Sequence, residues 1–421
     1  MDPGKQSPEL TPPGSKVRRL RPFATSFLMG FSSGAPLAVV ITLLQAWLKD
    51  GGASLTVIGL LTMTGLPYSL KFLWAPWLDY LAPFGRRRQS WLILSQTGLF
   101  ASLWAFSWAH PQDFQTVLFL SLAVSFSSAT QDVAVDAYRR EDLADHEVSL
   151  GSAFYIWGYR LGMTAISGGL LALADPLGWS LVFKLAALLV LIGPLTLIFS
   201  PEPKVGQNRP KTLAESIVKP LTEFFSRPSP FMLLGFVFFY RFGEQFISSI
   251  NTAFFLNIGY TKLQIGLVVK AFGLASTLGG VALAGYLSRT IGLVKCLWLF
   301  GWLQIFNCAC LTALWLLPPD SVNLAILISL DHLSVGGGSA VFVAFLTSQT
   351  NKSHSATQYA LLSSLMALPR GLLSSPSGFL AETLGWPFFY ALGVLLTLPG
   401  LCLLRKLTAK GLIPPLASEA R

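Results

Sequence analysis

Long apolar runs, one after another with only short polar gaps, decide what this chain can fold into. A hydrocarbon core takes about 20 apolar residues per helix. Twelve such runs read along the sequence, at about 22–48, 54–81, 90–109, 114–138, 147–174, 179–200, 230–257, 262–288, 294–317, 321–349, 356–384 and 386–405. Charged residues are only 12% of the chain and hydrophobic ones 52%, against roughly a quarter charged in a soluble domain. So few charges cannot cover a surface that faces water on all sides. The reading is an all-α membrane protein with 12 transmembrane helices and lipid as its outer solvent.

The organisation follows from the gaps. Residues 1–21 form a disordered tail, 22–200 a six-helix bundle, 201–229 a polar linker, 230–405 a second six-helix bundle and 406–421 a closing tail. Within the linker, Leu213, Ile217, Leu221 and Phe224 fall at helical spacing, which predicts an amphipathic helix at the membrane surface. The first apolar run is too long for a signal-peptide core and lacks a small-residue cleavage site, so it stays in the mature protein.

Net charge is +10, yet its distribution argues against nucleic acid. The cluster at Lys16, Arg18, Arg19 and Arg21 and the run Arg86-Arg87-Arg88 abut apolar stretches and carry no interleaved aromatics. With the N-terminus inside, 22 Lys and Arg residues lie on inner loops and tails, against Lys49 and Lys262 outside. Such an imbalance predicts both termini in the cytoplasm. An even number of spans keeps that sorting consistent.

The two halves repeat. Trp47, Gly52 and Ile58-Gly59-Leu60 recur 207 residues on as Phe254, Gly259 and Ile265-Gly266-Leu267. Leu177-Gly178-Trp179 recurs at the same offset as Leu384-Gly385-Trp386. A repeat of six helices preserves orientation, which gives two parallel halves related by an axis along the membrane normal. That is the architecture of major facilitator transporters, with the substrate path between the halves.

Ionised side chains near the middle of a bilayer cost about 2.5–3.5 kcal/mol each, so those inside the runs call for a role. The bases are Lys71, Arg160, Lys184, Arg241, Lys270 and Arg370; the acids are Asp132, Asp136, Glu244 and Asp331, with Asp79 and Glu382 nearer the ends. Lys184 is close enough to a helix end to snorkel. Asp132 and Asp136 are four apart and share a helix face, with Gln131 beside them. Arg241 and Glu244 are three apart, where an internal ion pair competes with proton carriage. The proton-coupling candidates are Asp132, Asp136, Glu244 and Asp331. The surplus of central bases points to an anionic substrate, with Lys71, Arg160, Arg241, Gln131, Tyr159 and Trp157 as its binding candidates.

A gate is expected where Asp79, at a helix end, faces Arg86, Arg87 and Arg88 in a short loop. Its counterpart in the second half, from Gly285 to Arg289, lacks the acid. The glycine groups Gly168-Gly169, Gly279-Gly280 and Gly336-Gly337-Gly338 allow close helix approach. Pro36, Pro67, Pro76, Pro369 and Pro376 interrupt spans, as bending helices require. Trp47, Trp74, Trp157, Tyr155 and Tyr159 are able to stack on sugar rings or simply to pack. His332, next to Asp331, is a proton-relay candidate. Cys296, Cys308, Cys310 and Cys402 are too scattered for a disulfide framework or a metal site. No catalytic triad, H-E-x-x-H or phosphate loop occurs, so neither an enzyme nor a bound metal or cofactor is expected.

The motifs are longer than these features alone. Phe31-Ser32-Ser33-Gly34-Ala35-Pro36-Leu37, the segment from Gly65 to Pro76, Gly85-Arg86-Arg87-Arg88, the segment from Ala129 to Arg139, Gly158-Tyr159-Arg160-Leu161-Gly162-Met163, Ala344-Phe345-Leu346 and the segment from Ala356 to Ser363 resemble AmpG-type muropeptide permeases over about residues 22 to 405. The resemblance implies proton-driven import of GlcNAc–anhydro-MurNAc peptides through the inner membrane for cell-wall recycling, by a monomer powered by the proton motive force. It also places Lys71, Asp132, Asp136 and Arg160 at the family's intramembrane polar positions. Glu244 stands where that pattern has Asp, and the chain stops at twelve helices where some members continue. Alternatives are a symporter of the same fold for another anionic sugar or an acyl-CoA-like solute, and a membrane receptor or enzyme that does not transport.

Overall fold

The computed structural model describes residues 14–413 apart from 54–60, 204–211, 249, 261–263, 265–267, 269–271 and 369–376. Its helices fall, among the described residues, into twelve spans with no strand. The first half holds Leu20–Asp50, 61–80, Arg87–Phe106, Phe114–Asp142, 148–170 and Trp179–Phe199. The second holds a seventh span with helices Pro230–Phe239, Phe242–Ser248 and Asn251–Asn257, then Leu274–Thr290, Leu293–Leu314, Ser321–Ser348, an eleventh with helices Ser355–Leu368 and Ser377–Leu384, and Trp386–Ala409. Six of these, the first, fourth, sixth, ninth, tenth and twelfth, are long and apolar enough to cross a membrane.

Helix already begins at Gly14, which corrects the disordered tail through residue 21. Lys, Arg and Leu are good helix formers, and Arg21 is tied at 2.8 Å to Asp142 at the end of the fourth span. Pro36 precedes a wide π-helical turn at Val39–Leu43. Pro67 and Pro76 open new short helices after breaks in the second span, where proline's missing N–H costs nothing. Pro369 and Pro376 lie outside the described residues.

The 207-residue repeat is built into the backbone. Gly52 and Gly259, Gly85 and Gly292, and Gly178 and Gly385 all have φ between +75° and +102°, a region that glycine enters freely. Trp179 donates its indole N–H to Asp50 at 2.9 Å, and Trp386 donates to Asn257 at 2.8 Å. Both donor and acceptor move by the same 207 residues. Trp47 packs edge-on to Phe183, as Phe254 does to Tyr390.

Small residues set the closest helix crossings. A Cβ on Gly30 or Gly34 of the first span would strike the Tyr155 or Tyr159 carbonyl of the fifth, and one on Gly158 or Gly162 would strike Phe27 or Phe31. Gly280 and Gly336 bring the eighth and tenth spans together in the same way. Gly169 and Gly279 face open space, so the glycine doublets act through one member at most.

The linker helix, Leu213–Phe225, buries Ser216, Pro220 and Phe224 and leaves Ile217 and Val218 exposed. Its inward face is therefore rotated from the predicted apolar stripe, which leaves apolar surface to lie against lipid.

The apolar core divides unevenly. One cluster joins both halves at the end carrying Arg86–Arg88, through Leu78, Val133, Tyr138, Phe236, Phe345 and Tyr359 among others. At the opposite end each half keeps its own cluster, around Trp47 and Phe183 in one and Phe254 and Tyr390 in the other. Among the described residues the core shared by both halves lies at the basic face.

Candidate functional site between the two halves

Asp132, Asp136 and Arg139 sit three and four residues apart on the fourth span, so one face carries all three. Asp136 is 4% exposed. Its Oδ1 accepts from Arg139 Nη2 at 3.1 Å, and its Oδ2 lies 3.9 Å from Lys71 Nζ of the second span. Lys71 occupies a short 3₁₀ turn between two helix fragments, and that break turns its side chain inward. Asp132 is half-buried, and its Oδ1 has no hydrogen-bond partner among the described residues.

Gln131 points elsewhere. It has no exposed surface, and its amide donates at 3.0 Å to Ser32 of the first span, which Gln96 also approaches at 3.3 Å. One residue along a helix is a rotation of about 100°, so adjacency to Asp132 in sequence puts Gln131 in helix packing and away from a substrate path. Trp157 donates its indole N–H to the Leu278 carbonyl at 2.7 Å, a bond from the fifth span to the eighth and across the halves. Tyr159 and Arg160 are half-buried on the fifth span. Of the other aromatics, Trp47 is 4% exposed between Phe106 and Phe183, and Trp74 donates to Thr130. Lys184 rests its ammonium 5.9 Å above the Trp104 ring.

In the second half, Arg241 donates to Glu244 at 2.9 Å and to Ser339 of the tenth span at 2.5 Å. Asp331 accepts from Asn307 of the ninth span, and His332 shares a hydrogen bond with Thr277 of the eighth at 3.1 Å. These bonds keep Arg241, Glu244 and Asp331 engaged within their own half. The acids of the two halves are not brought together. Lys270 and Arg370 lie outside the described residues.

The charge cluster expected to gate is larger than its sequence signal. Arg88 reaches Asp79 at 2.6 Å and Glu141 at 2.5 Å, while Arg87 reaches Glu141 at 2.6 Å and Asp79 at 3.8 Å. Arg86 stays outside, bonded to Gln89 at 2.9 Å. Asp79 then crosses to the second half. Its Oδ2 accepts from the Thr357 backbone N–H at 2.9 Å and from the Thr357 hydroxyl at 2.7 Å. A carboxylate thus caps the first turn of the eleventh span, where free N–H groups and the helix dipole favour an anion. Ser355 accepts from Arg88 and donates to Glu141. Glu202 caps the third span in parallel, through the Arg88 and Gln89 amides at 2.7 and 3.1 Å.

Further bonds close the same face: Arg140 to the Thr350 carbonyl at 2.9 Å, and Lys352 to the Leu143 carbonyl at 3.2 Å. At the opposite end, Trp179–Asp50, Gln112–Gly51, Tyr260–Asp320 and Trp386–Asn257 each stay within one half. Among the described residues the hydrogen bonds between the halves gather at the basic face, and the buried Lys71–Asp136–Arg139 group lies next to them.

Sequence reasoning missed Glu141, Glu202, Arg139, Tyr359, Ser355 and Thr357. A signal existed for one of them: three arginines beside a lone Asp79 leave buried charge that needs a second acid, and Glu141 is the acid at the end of the neighbouring span.

The family model described as Major Facilitator Superfamily matches residues 23–354. A protein of Haemophilus influenzae is 38% identical over 89% of this chain and 92% of its own. The anhydromuropeptide permease of Escherichia coli K12 is 36% identical over 90% of this chain and 78% of its own. This chain belongs to the anhydromuropeptide permease branch of the major facilitator superfamily. It is a multi-pass membrane transporter, not an enzyme. Solved structures share the fold at low identity. The human organic anion transporter MFSD10 gives a TM-score of 0.73 at 15% identity, covering 94% of this chain and all of that one. A bacterial homologue of the iron transporter ferroportin in an outward-facing state gives 0.69 at 14%, covering 92% and 98%.

Proposed function

We propose that this permease imports anhydromuropeptides, GlcNAc–anhydro-MurNAc disaccharides bearing a stem peptide, from periplasm to cytoplasm with protons, as a step in cell-wall recycling. The observation that carries this reading is the 36% identity to the Escherichia coli permease along nine-tenths of the chain. The imbalance of Lys and Arg supports an orientation in the inner membrane with the basic face and both termini cytoplasmic. In that orientation the bonds between the halves lie on the cytoplasmic side, and substrate enters from the periplasmic side.

Asp132, half-buried with an unpartnered oxygen, is the main proton carrier, with Asp136 as a second. Glu244 and Asp331 serve the same role in the second half. Lys71 and Arg160 draw the peptide carboxylates, helped by Arg241, Tyr159 and Trp157. A proton entering with an anionic substrate cancels one charge that the negative interior repels, an effect of about 2.3 kcal/mol per charge per 100 mV. Rocking of the halves then parts Asp79 from Thr357 and opens the basic face. A single chain suffices for this cycle.

The test is uptake of labelled disaccharide-peptide into proteoliposomes, with competition by the unlabelled compound and by an acyl-CoA. Saturable uptake blocked only by the muropeptide is expected. Uptake blocked by the acyl-CoA and indifferent to the muropeptide would overturn the substrate assignment.

A further inference from the structure

Arg139 reads in the sequence as one of the charges that orient the membrane protein. The structure places it differently. It is 1% exposed and holds three elements at once. Nη1 donates to Ser152 of the fifth span at 3.1 Å, and Nη2 is shared between Asp136 Oδ1 and the Tyr359 hydroxyl, 3.1 Å from each. The guanidinium lies 4.4 Å above the Tyr155 ring and 5.7 Å from that of Tyr359. Tyr359 belongs to the eleventh span, so this bond crosses the halves two residues beyond the Asp79–Thr357 cap.

The charges around this cation are few. Asp136 is the carboxylate in contact, and Lys71 of the second span draws on its other oxygen. Asp132 lies one turn away on the same span; Tyr155 and Tyr359 face the group from the fifth and eleventh spans. Two cations therefore share the Asp136 carboxylate, and Lys71 also feels the charge of Asp132. A buried cation stripped of the carboxylate it contacts is strongly unfavourable.

We infer that Arg139 is the positioning residue that converts proton loading of Asp136 into opening of the basic face, through its bond to Tyr359. This rests on the reading of Asp136 as a proton carrier. With Asp136 ionised, Arg139 is anchored and holds the eleventh span shut. A proton arriving from the open side forms an O–H bond on the Asp136 carboxylate, strips Arg139 of the anion it contacts and leaves Lys71 to Asp132 alone. Parting of the halves then lets water or a substrate carboxylate reach both cations. Release of the proton to the cytoplasm restores the Asp136–Arg139 pair and closes the face.

The experiment places spin labels at Phe84 and Thr290, exposed positions on the two halves of the basic face, in reconstituted protein with Cys310 and Cys402 replaced by serine. Acidification is expected to move the wild-type distance from a short to a long population. Tyr359→Phe removes the hydroxyl and keeps the ring; it should raise the open-to-closed ratio in alkaline buffer about tenfold, the weight of one charge-assisted hydrogen bond, and flatten the acid response. Asp136→Asn should be long in both buffers, and Arg139→Lys should keep the fold but lose closure, because an ammonium holds its donors on one nitrogen and cannot span Ser152 and Tyr359 as the planar fork does. If Asp136→Asn is insensitive to acid while Tyr359→Phe behaves as wild type, the link through Arg139 is refuted and the proton role of Asp136 survives. If Asp136→Asn still responds to acid as wild type does, the proton role itself falls, and the inference with it.

Discussion

Gly158 shows how little space a single residue has in this bundle. A methyl group there would meet the Phe27 carbonyl and the Phe31 amide, backbone atoms that cannot rotate aside. Gly158→Ala is expected to push the first and fifth spans apart and to cost about 1–3 kcal/mol, read as a lower melting temperature in detergent. Gly169→Ala faces open space and should melt as wild type does. At the loop after the fourth span, the hydrogen bond from Arg140 holds the Asp145 carboxyl below the usual carboxylate range. Its stabilising effect is present above the ordinary carboxylate pKa and is lost as pH falls through the lowered value. The side chain is 61% exposed, so Asp145→Asn should change stability by no more than about 1 kcal/mol, and melting curves in acid should converge with wild type. What the sequence conveyed at this scale was depth and spacing, and for Asp132, Asp136 and Lys71 these sufficed to place them along one path. Rotation was not legible: Gln131 looked like a neighbour of Asp132 and faces Ser32 instead.

The eleventh span is the element on which closure depends. Its first turn is capped by Asp79 of the other half, and its next turn is held by Arg139. Removing one partner of a buried charge network costs about 3–5 kcal/mol. Asp79→Asn leaves Arg87 and Arg88 to Glu141 alone and is expected to loosen the basic face. A cysteine at Ala356, now 1% exposed against the second span, should react faster with a water-soluble maleimide in that background. Unchanged reactivity would mean that the cap does not hold the face shut. Periodicity and length identified this span, and Asp79 with its arginines identified a charge cluster. Its partner across the halves was hidden, because Ser355 and Thr357 lie more than 260 residues from Arg88 and carry no charge. Pairing across halves is set by how two bundles dock, which no local pattern encodes.

For the whole molecule the repeat was the most legible feature. An offset of 207 residues read from a few anchors reappears in three pairs of positive-φ glycines and in two indole hydrogen bonds. The symmetry is broken where the chemistry lies. The first half gathers Lys71, Asp136 and Arg139 into one buried group with Asp132 one turn along, whereas the second ties Arg241, Glu244 and Asp331 into its own helices. Proton traffic is accordingly expected to depend more on Asp132 than on Glu244. The most direct measurement follows external pH with a dye while unlabelled disaccharide-peptide is added to proteoliposomes at equal pH inside and out. Substrate should alkalinise the medium as protons enter with it, and Asp132→Asn, present at normal abundance, should abolish that signal. Substrate uptake with no movement of protons, or a full signal in the variant, would contradict proton-coupled import through this path.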